Sequence, residues 1–196
     1  MKKAIFLVTI LALSVLTTAC INNLAVQELN NKAAEFMKKG DYADAISRLQ
    51  SSVDLDPSIF ETQYNLAVAY TENEDYDEAI ETFKRALVLK PDSKDAYYSM
   101  AVMYENYAKD LFAGNTKAQK EQTENDNDDN LASFNSDGKY KPTDIEMENV
   151  RKYYAESIAA YEKYMELAPN ADDILDVKAH IEELRANLET LDIDTN

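Results

Sequence analysis

Three glycines and four prolines in 196 residues leave this chain poor in the residues that make tight turns and break helices. Tryptophan is absent, and histidine and cysteine occur once each, as His180 and Cys20. A sheet protein of this size needs turn residues at every hairpin. The scarcity of glycine, with 45% hydrophobic residues and few long β-branched runs, therefore points to an all-α chain. A single cysteine excludes an internal disulfide. Positive charge is also short, since 20 Lys and Arg stand against 37 Asp and Glu, a formal net charge of −17. Such a surface repels phosphate backbones, which argues against nucleic acid as a partner, and it leaves no polybasic patch to hold an anionic membrane. With one histidine, no glycine-rich phosphate loop and no Gly-x-Ser-x-Gly, catalysis has little to be built on, and the chain reads as a non-enzyme.

What is present begins at the N-terminus. Lys2 and Lys3 precede an apolar stretch from Ala4 to Leu16 and the small-residue run Thr17-Thr18-Ala19. This is the layout of a secretion signal over residues 1–19, and the stretch is shorter than the roughly 20 residues that span a bilayer. The segment Leu16-Thr17-Thr18-Ala19-Cys20 resembles a bacterial lipobox, with Ala19 and Cys20 in place and Thr17 where leucine is usual. The resemblance implies that Cys20 becomes the mature N-terminus, carries diacylglycerol and an N-acyl chain, and is joined to the body by a short tether over 20–25. It implies no other cofactor. It places the chain in the cell envelope, lipid-anchored to a membrane facing the periplasm or exterior. Ile21 after Cys20 favours the outer membrane if the bacterium has two membranes.

The strongest internal signal is the 34-residue distance between Pro57 and Pro91. Aligned on these prolines, Tyr42 falls over Tyr76, Ala45 over Ala79, Ile46 over Ile80, Leu49 over Phe83, Leu55 over Leu89, Ala33 over Ala67 and Phe36 over Tyr70. Small residues allow two antiparallel helices to approach, larger ones fill the flanks, and proline closes each unit. Leu66, Ala67, Tyr70, Ala79, Phe83, Ala86 and Pro91 form a pattern that resembles the tetratricopeptide repeat, with Gln63 departing at its first column. The resemblance implies a short right-handed superhelical stack of about three helical hairpins over 26–169, divided as 26–59, 60–93 and 94–169. Ser58 with Glu61, Asp75 with Glu78 and, more weakly, Asp41 with Asp44 have the spacing of helix-capping boxes, and Gly40 lies at a hairpin turn. Tyr97, Met100, Ala101 and Tyr104 open the third hairpin, but its second helix resumes only at Tyr154 and runs through Tyr161, Tyr164 and Leu167 to Pro169. An acidic low-complexity insertion at about 113–149 separates the two. Beyond it, Ile174, Val177, Ile181, Leu184, Leu188 and Leu191 recur at spacings of three and four, one apolar stripe on a capping helix over 170–191 before a tail at 192–196.

Within the insertion, Asp126, Asp128, Asn130 and Asp137 fall at the spacing of a calcium loop, but Leu131 occupies the position of the turn glycine and Asp137 that of the bidentate glutamate. A solvated acidic loop is the reading preferred, with no metal assigned. His180 is expected at the edge of the apolar stripe rather than as a base or ligand. By the family's groove columns, the first helices would line a partner-binding groove with Gln27, Asn30, Ala34, Met37 and Lys38, then Glu61, Tyr64, Val68, Thr71 and Glu72, then Asp95, Tyr98, Val102, Glu105 and Asn106. The basic clamp for a C-terminal carboxylate is absent, only Asn65 matching one of its columns. The expected partner is a protein or peptide with apolar and basic character, and the expected role is an adaptor in envelope or outer-membrane assembly or secretion. The alternative is an accessory subunit in solute uptake, binding a small ligand or docking a solute-binding protein, for which Tyr64, Tyr98 and Tyr104 would have to enclose a chamber.

Overall fold

The computed structural model describes residues 23–120 and 140–193, so Cys20 and the calcium-like positions Asp126, Asp128, Asn130 and Asp137 lie outside the described residues. The described residues form seven helices, and residues 117–120 are also helical. The helices are α1 (23–39), α2 (Tyr42–Leu55), α3 (Phe60–Glu72), α4 (Tyr76–Leu89), α5 (Lys94–Ala113), α6 (Asp144–Leu167) and α7 (Ile174–Ile193). They pair as the hairpins α1–α2, α3–α4 and α5–α6, with α7 laid against α6. No described helix is long and apolar enough to cross a membrane.

Each first helix ends in the same left-handed turn. Gly40 has φ +74, with Asp41 N–H donating to the Phe36 carbonyl, and one period later Glu74 has φ +59, with Asp75 N–H donating to Tyr70. Helix α5 runs on to Ala113 before the turn is made at Gly114. Alanines 45, 67, 79, 86, 96, 101 and 108 are fully buried, which brings the helices close, and Leu49, Phe83 and Met103 fill the space beside them.

Three apolar clusters divide the length of the stack. Ala33, Ile46, Leu49 and Leu66 join α1 to α3, while Ala67, Ile80, Phe83 and Tyr104 join α3 to α5. Ala108 and Leu111 of α5 meet Val150 and Ile158 of α6 and Val177, Ile181 and Leu184 of α7 in the third. The stripe expected on the last helix is thus the seal over α5 and α6, with Ile174, Leu188 and Leu191 at its margins.

The capping boxes expected from spacing do not form. Helix α3 starts after Ile59, and Ser58 instead donates from its N–H and its hydroxyl to Asp56 Oδ1, at 2.9 and 2.6 Å. Asp41 and Asp75 stand at N-caps without a side-chain cap bond. The reason for Asp75 is competition, since its carboxylate accepts from Asn73 at 2.6 Å and from Lys117. Side-chain caps are made instead by Ser93, which accepts from Ala96 N–H, and by Thr143 with Glu146, a full capping box on α6.

Candidate partner-binding face

Helices α1, α3 and α5 lie side by side, tied by polar contacts across the repeats. Asn30 Nδ2 donates to Thr62 Oγ1 at 2.9 Å, and the Tyr64 and Ser99 hydroxyls share a hydrogen bond of 2.9 Å. The groove columns land on this face with unequal exposure. Gln27, Ala34, Lys38, Glu61, Glu72, Asp95 and Asn106 are exposed, as is Asn65. Asn30, Met37, Tyr64, Val68 and Val102 are half-buried, and Tyr98 is 38% exposed. The open part of the face is therefore acidic with an apolar floor.

Two expected groove residues are not part of that open surface. Thr71 is 9% exposed and donates its hydroxyl back to the Ala67 carbonyl, an ordinary satisfaction of a buried helix threonine. Glu105 is 6% exposed and lies under α7, where His180 Nε2 is 2.8 Å from its Oε2, Lys109 pairs with its Oε1 and the Tyr161 hydroxyl donates at 3.4 Å. Burial alone would raise its carboxyl, but the bonds and charges of His180 and Lys109 outweigh that and hold it below the ordinary glutamate value. His180 is thus more than an edge residue. It is half-buried, packs edge-on against the Tyr161 ring at 5.5 Å, and joins the cap to the third hairpin.

The tyrosines divide their work. Tyr98 packs edge-on against Tyr161 and Tyr164, with centroids 5.6 and 5.1 Å away. Tyr64 stacks on Phe60, and Tyr104 is buried against Tyr153. Tyr64 and Tyr104 thus pack into the cluster around Phe83 and Tyr98 into the one beneath α7, so the three rings enter packed contacts instead of surrounding one chamber. A further ladder, Tyr76 on Tyr107 at 4.7 Å and Tyr107 on Tyr153 at 4.3 Å, runs from α4 across α5 to α6.

Beside the face, between the C-terminal end of α3 and the second half of α5, opens a polar cleft of about 260 Å³. Thr71, Glu72, Glu74, Tyr76, Asn106, Lys109 and Asp110 line it. The Tyr76 hydroxyl donates to Asp110, and burial followed by the Asp110, Glu74 and Glu72 carboxylates pushes that phenol far above its ordinary value. Tyr76 was legible only as a repeat column and Asp110 carried no signal, because nothing in a periodic pattern marks which carboxylates of separate elements face one cleft.

The feet of the insertion are also fixed. A Cβ at Gly114 would sit 2.5 Å from the Tyr140 ring, so only glycine lets that ring lie over the end of α5. Tyr140 donates to Glu146 Oε1 at 2.5 Å, and Gln119 Nε2 reaches the Leu111 carbonyl, Tyr140 and Glu146. The Thr-x-x-Glu spacing of Thr143 and Glu146 was a readable signal for this corner. Among the described residues, no group of three or more His, Cys, Asp or Glu could hold a metal ion.

The tetratricopeptide repeat family model matches residues 30–94. The fold is similar to the first TPR domain of Spaghetti (RPAP3) bound to the HSP90 peptide SRMEEVD, at 17% identity over 85% of this chain and 94% of that chain, TM-score 0.54. It is likewise similar to the Arabidopsis OM64 TPR domain, at 12% identity over 83% and 98%, TM-score 0.53. The second TPR domain of human RPAP3, in complex with the HSP70 peptide SGPTIEEVD, aligns at 14% identity over 82% and 98%, TM-score 0.51. No curated protein matches the sequence. Residues 30–94 thus carry tetratricopeptide repeat sequence, and the fold of the described residues is that of an all-α tetratricopeptide helical stack.

Proposed function

We propose that this chain is a lipoprotein adaptor of a bacterial envelope, anchored through acylated Cys20 and holding a protein partner along the face of α1, α3 and α5 for outer-membrane or secretion assembly. The observation that carries the reading is the character of that face. Glu61, Glu72 and Asp95 are exposed around half-buried Tyr64, Val68 and Val102 and the edge of Tyr98. Such a surface suits an extended or helical segment with apolar anchors and positive charge. The similar RPAP3 domains hold peptides ending in EEVD, whereas the charge here would repel an acidic end, so the partner is of the opposite charge. The packed contacts of Tyr64, Tyr98 and Tyr104 support an open binding face over a small-ligand chamber.

Two measurements test the two halves of the proposal. A photo-crosslinker placed at Glu61 or Asp95 in intact cells is expected to capture one defined envelope protein, and charge reversal at the other position to abolish the capture. Capture that is indifferent to the reversal would rule out recognition by this face. For the anchor, Cys20→Ala is expected to lose fatty-acid labelling and leave the membrane fraction; labelling that persists would show the lipobox reading to be wrong.

A further inference from the structure

Successive helices of the stack run in opposite directions. Tyr76 at the start of α4 meets Asp110 near the end of α5, Tyr98 near the start of α5 meets Tyr164 near the end of α6, and Tyr164 donates to Asp173 just before α7. The starts of α1, α3, α5 and α7 and the ends of α2, α4 and α6 therefore share one rim. The left-handed turns at Gly40, Glu74 and Gly114 and the feet of the insertion share the other. Exposed apolar side chains are not divided evenly between the rims. Setting aside Tyr98 of the partner-binding face, Leu24, Leu55, Val88, Leu89 and Leu175, from 39% to 79% exposed, stand on the rim where α1 starts, against Phe112 and Ile145 on the opposite one. Pro57, Pro91 and Pro169 are exposed in the turns of the leucine rim and add apolar rings without N–H groups. The five side chains come from α1, α2, α4 and α7, so they extend along the whole stack instead of marking one helix.

The same rim is the one Cys20 adjoins. Helix α1 already includes Asn23, inside the tether expected over 20–25, which leaves three residue steps between that helix and Cys20. Three steps of chain reach about 10 Å at most. A bilayer that holds acylated Cys20 is thus kept against the rim that carries the exposed leucines. Asp54, Asp92, Asp172 and Asp176 are exposed on this rim and repel anionic head groups, so the lipid surface it can rest on is a zwitterionic one.

We propose that the stack stands end-on on a zwitterionic membrane surface, with Leu24, Leu55, Val88, Leu89 and Leu175 resting at the boundary of head groups and acyl chains. Helices α1, α3 and α5 then stand upright, the partner-binding face opens sideways above the lipid, and the insertion leaves the stack at the end away from the membrane. The proposal rests on the acylation of Cys20 and gives the anchored protein one orientation.

The test uses the full acylated chain in phosphatidylcholine vesicles. Cys20 is the only cysteine and acylation consumes its thiol, so a single introduced cysteine can be labelled alone. A bimane fluorophore on Leu55→Cys, Val88→Cys or Leu175→Cys is expected to be quenched by phosphatidylcholine with a head-group nitroxide at least about twofold more than one on Phe112→Cys or Ile145→Cys. Val88 and Leu175 are each 79% exposed, so glutamate at both sites leaves the fold intact. Val88→Glu with Leu175→Glu should remove roughly half or more of the quenching at position 55. Equal quenching at both rims, stronger quenching at 112 or 145, or no effect of the two glutamates would overturn the proposal. Absence of quenching at every site would also overturn it and leave the leucine rim to a protein partner. Labelling of Cys20 in the unsubstituted chain would sink the anchor reading and the end-on placement with it. An unlabelled Cys20 with quenching at the opposite rim would sink the placement alone.

Discussion

Gly40, Glu74 and Gly114 close the three first helices with left-handed backbone, and their surroundings set different costs for substitution. Around Gly40 nothing lies within 4 Å of a built Cβ, so Gly40→Ala should cost only the backbone penalty, about 1 kcal/mol. Gly114→Ala should cost more, because the Tyr140 ring must also leave the end of α5. Glu74→Gly should be neutral or stabilise by up to about 1 kcal/mol while removing a cleft carboxylate. Urea titrations of the three variants check the order; a Gly40 variant worse than the Gly114 variant would contradict the packing at Tyr140. Glu105 gives a pH dependence. Its folded value and that of Glu146 lie below the ordinary 4.5, so the stability they supply is present above that value and lost as pH falls through the lowered values. Glu105→Ala should cost roughly 1–3 kcal/mol near neutral pH, since His180 and Tyr161 lose their acceptor, and should flatten the acid limb of the stability profile.

Among the elements, α7 follows its expected stripe, while the caps at the helix starts depart from theirs. Helix α7 seals the stack through Val177, Ile181 and Leu184, the last 1% exposed, and Leu184→Ala should cost about 2–5 kcal/mol by leaving a cavity under the cap. Its stripe was readable because spacings of three and four are a local property of one helix. The capping boxes were not, because a spacing says which residues could meet and tertiary neighbours decide which do. Asp75 has the spacing but spends its carboxylate on Asn73 and Lys117, whereas Thr143 and Glu146 meet in full. Thr143→Ala should cost about 1 kcal/mol and speed amide exchange in the first turn of α6 more than elsewhere. Uniform acceleration along α6 would place the effect outside the cap.

Over the whole molecule, three successive clusters replace a single core, and stability in such a stack is carried between neighbours. Leu49→Ala should therefore loosen amide protection in α1 and α2 far more than in α7, and Leu184→Ala the reverse. Equal loss at both ends would show one cooperative unit. With a net charge of −17, partner binding should weaken as ionic strength rises, most clearly in the association rate, as a salt series on the captured partner would show.

The amino-acid sequence alone determined the 34-residue period, the all-helical hairpins, the apolar stripe of the cap and the columns that carry the first helices. These follow from periodicity and from residue size at fixed offsets, which any one segment displays without its neighbours. Tertiary structure alone decided that Glu105 lies beneath His180, that Tyr98 leans on Tyr161 and Tyr164, and that Glu72, Glu74 and Asp110 face one cleft. Those pairings join residues from separate helices, some of them 56 to 75 positions apart, and leave no periodic mark. Whether an exposed column stays open depends on which element arrives to cover it, and that is settled only when the helices pack.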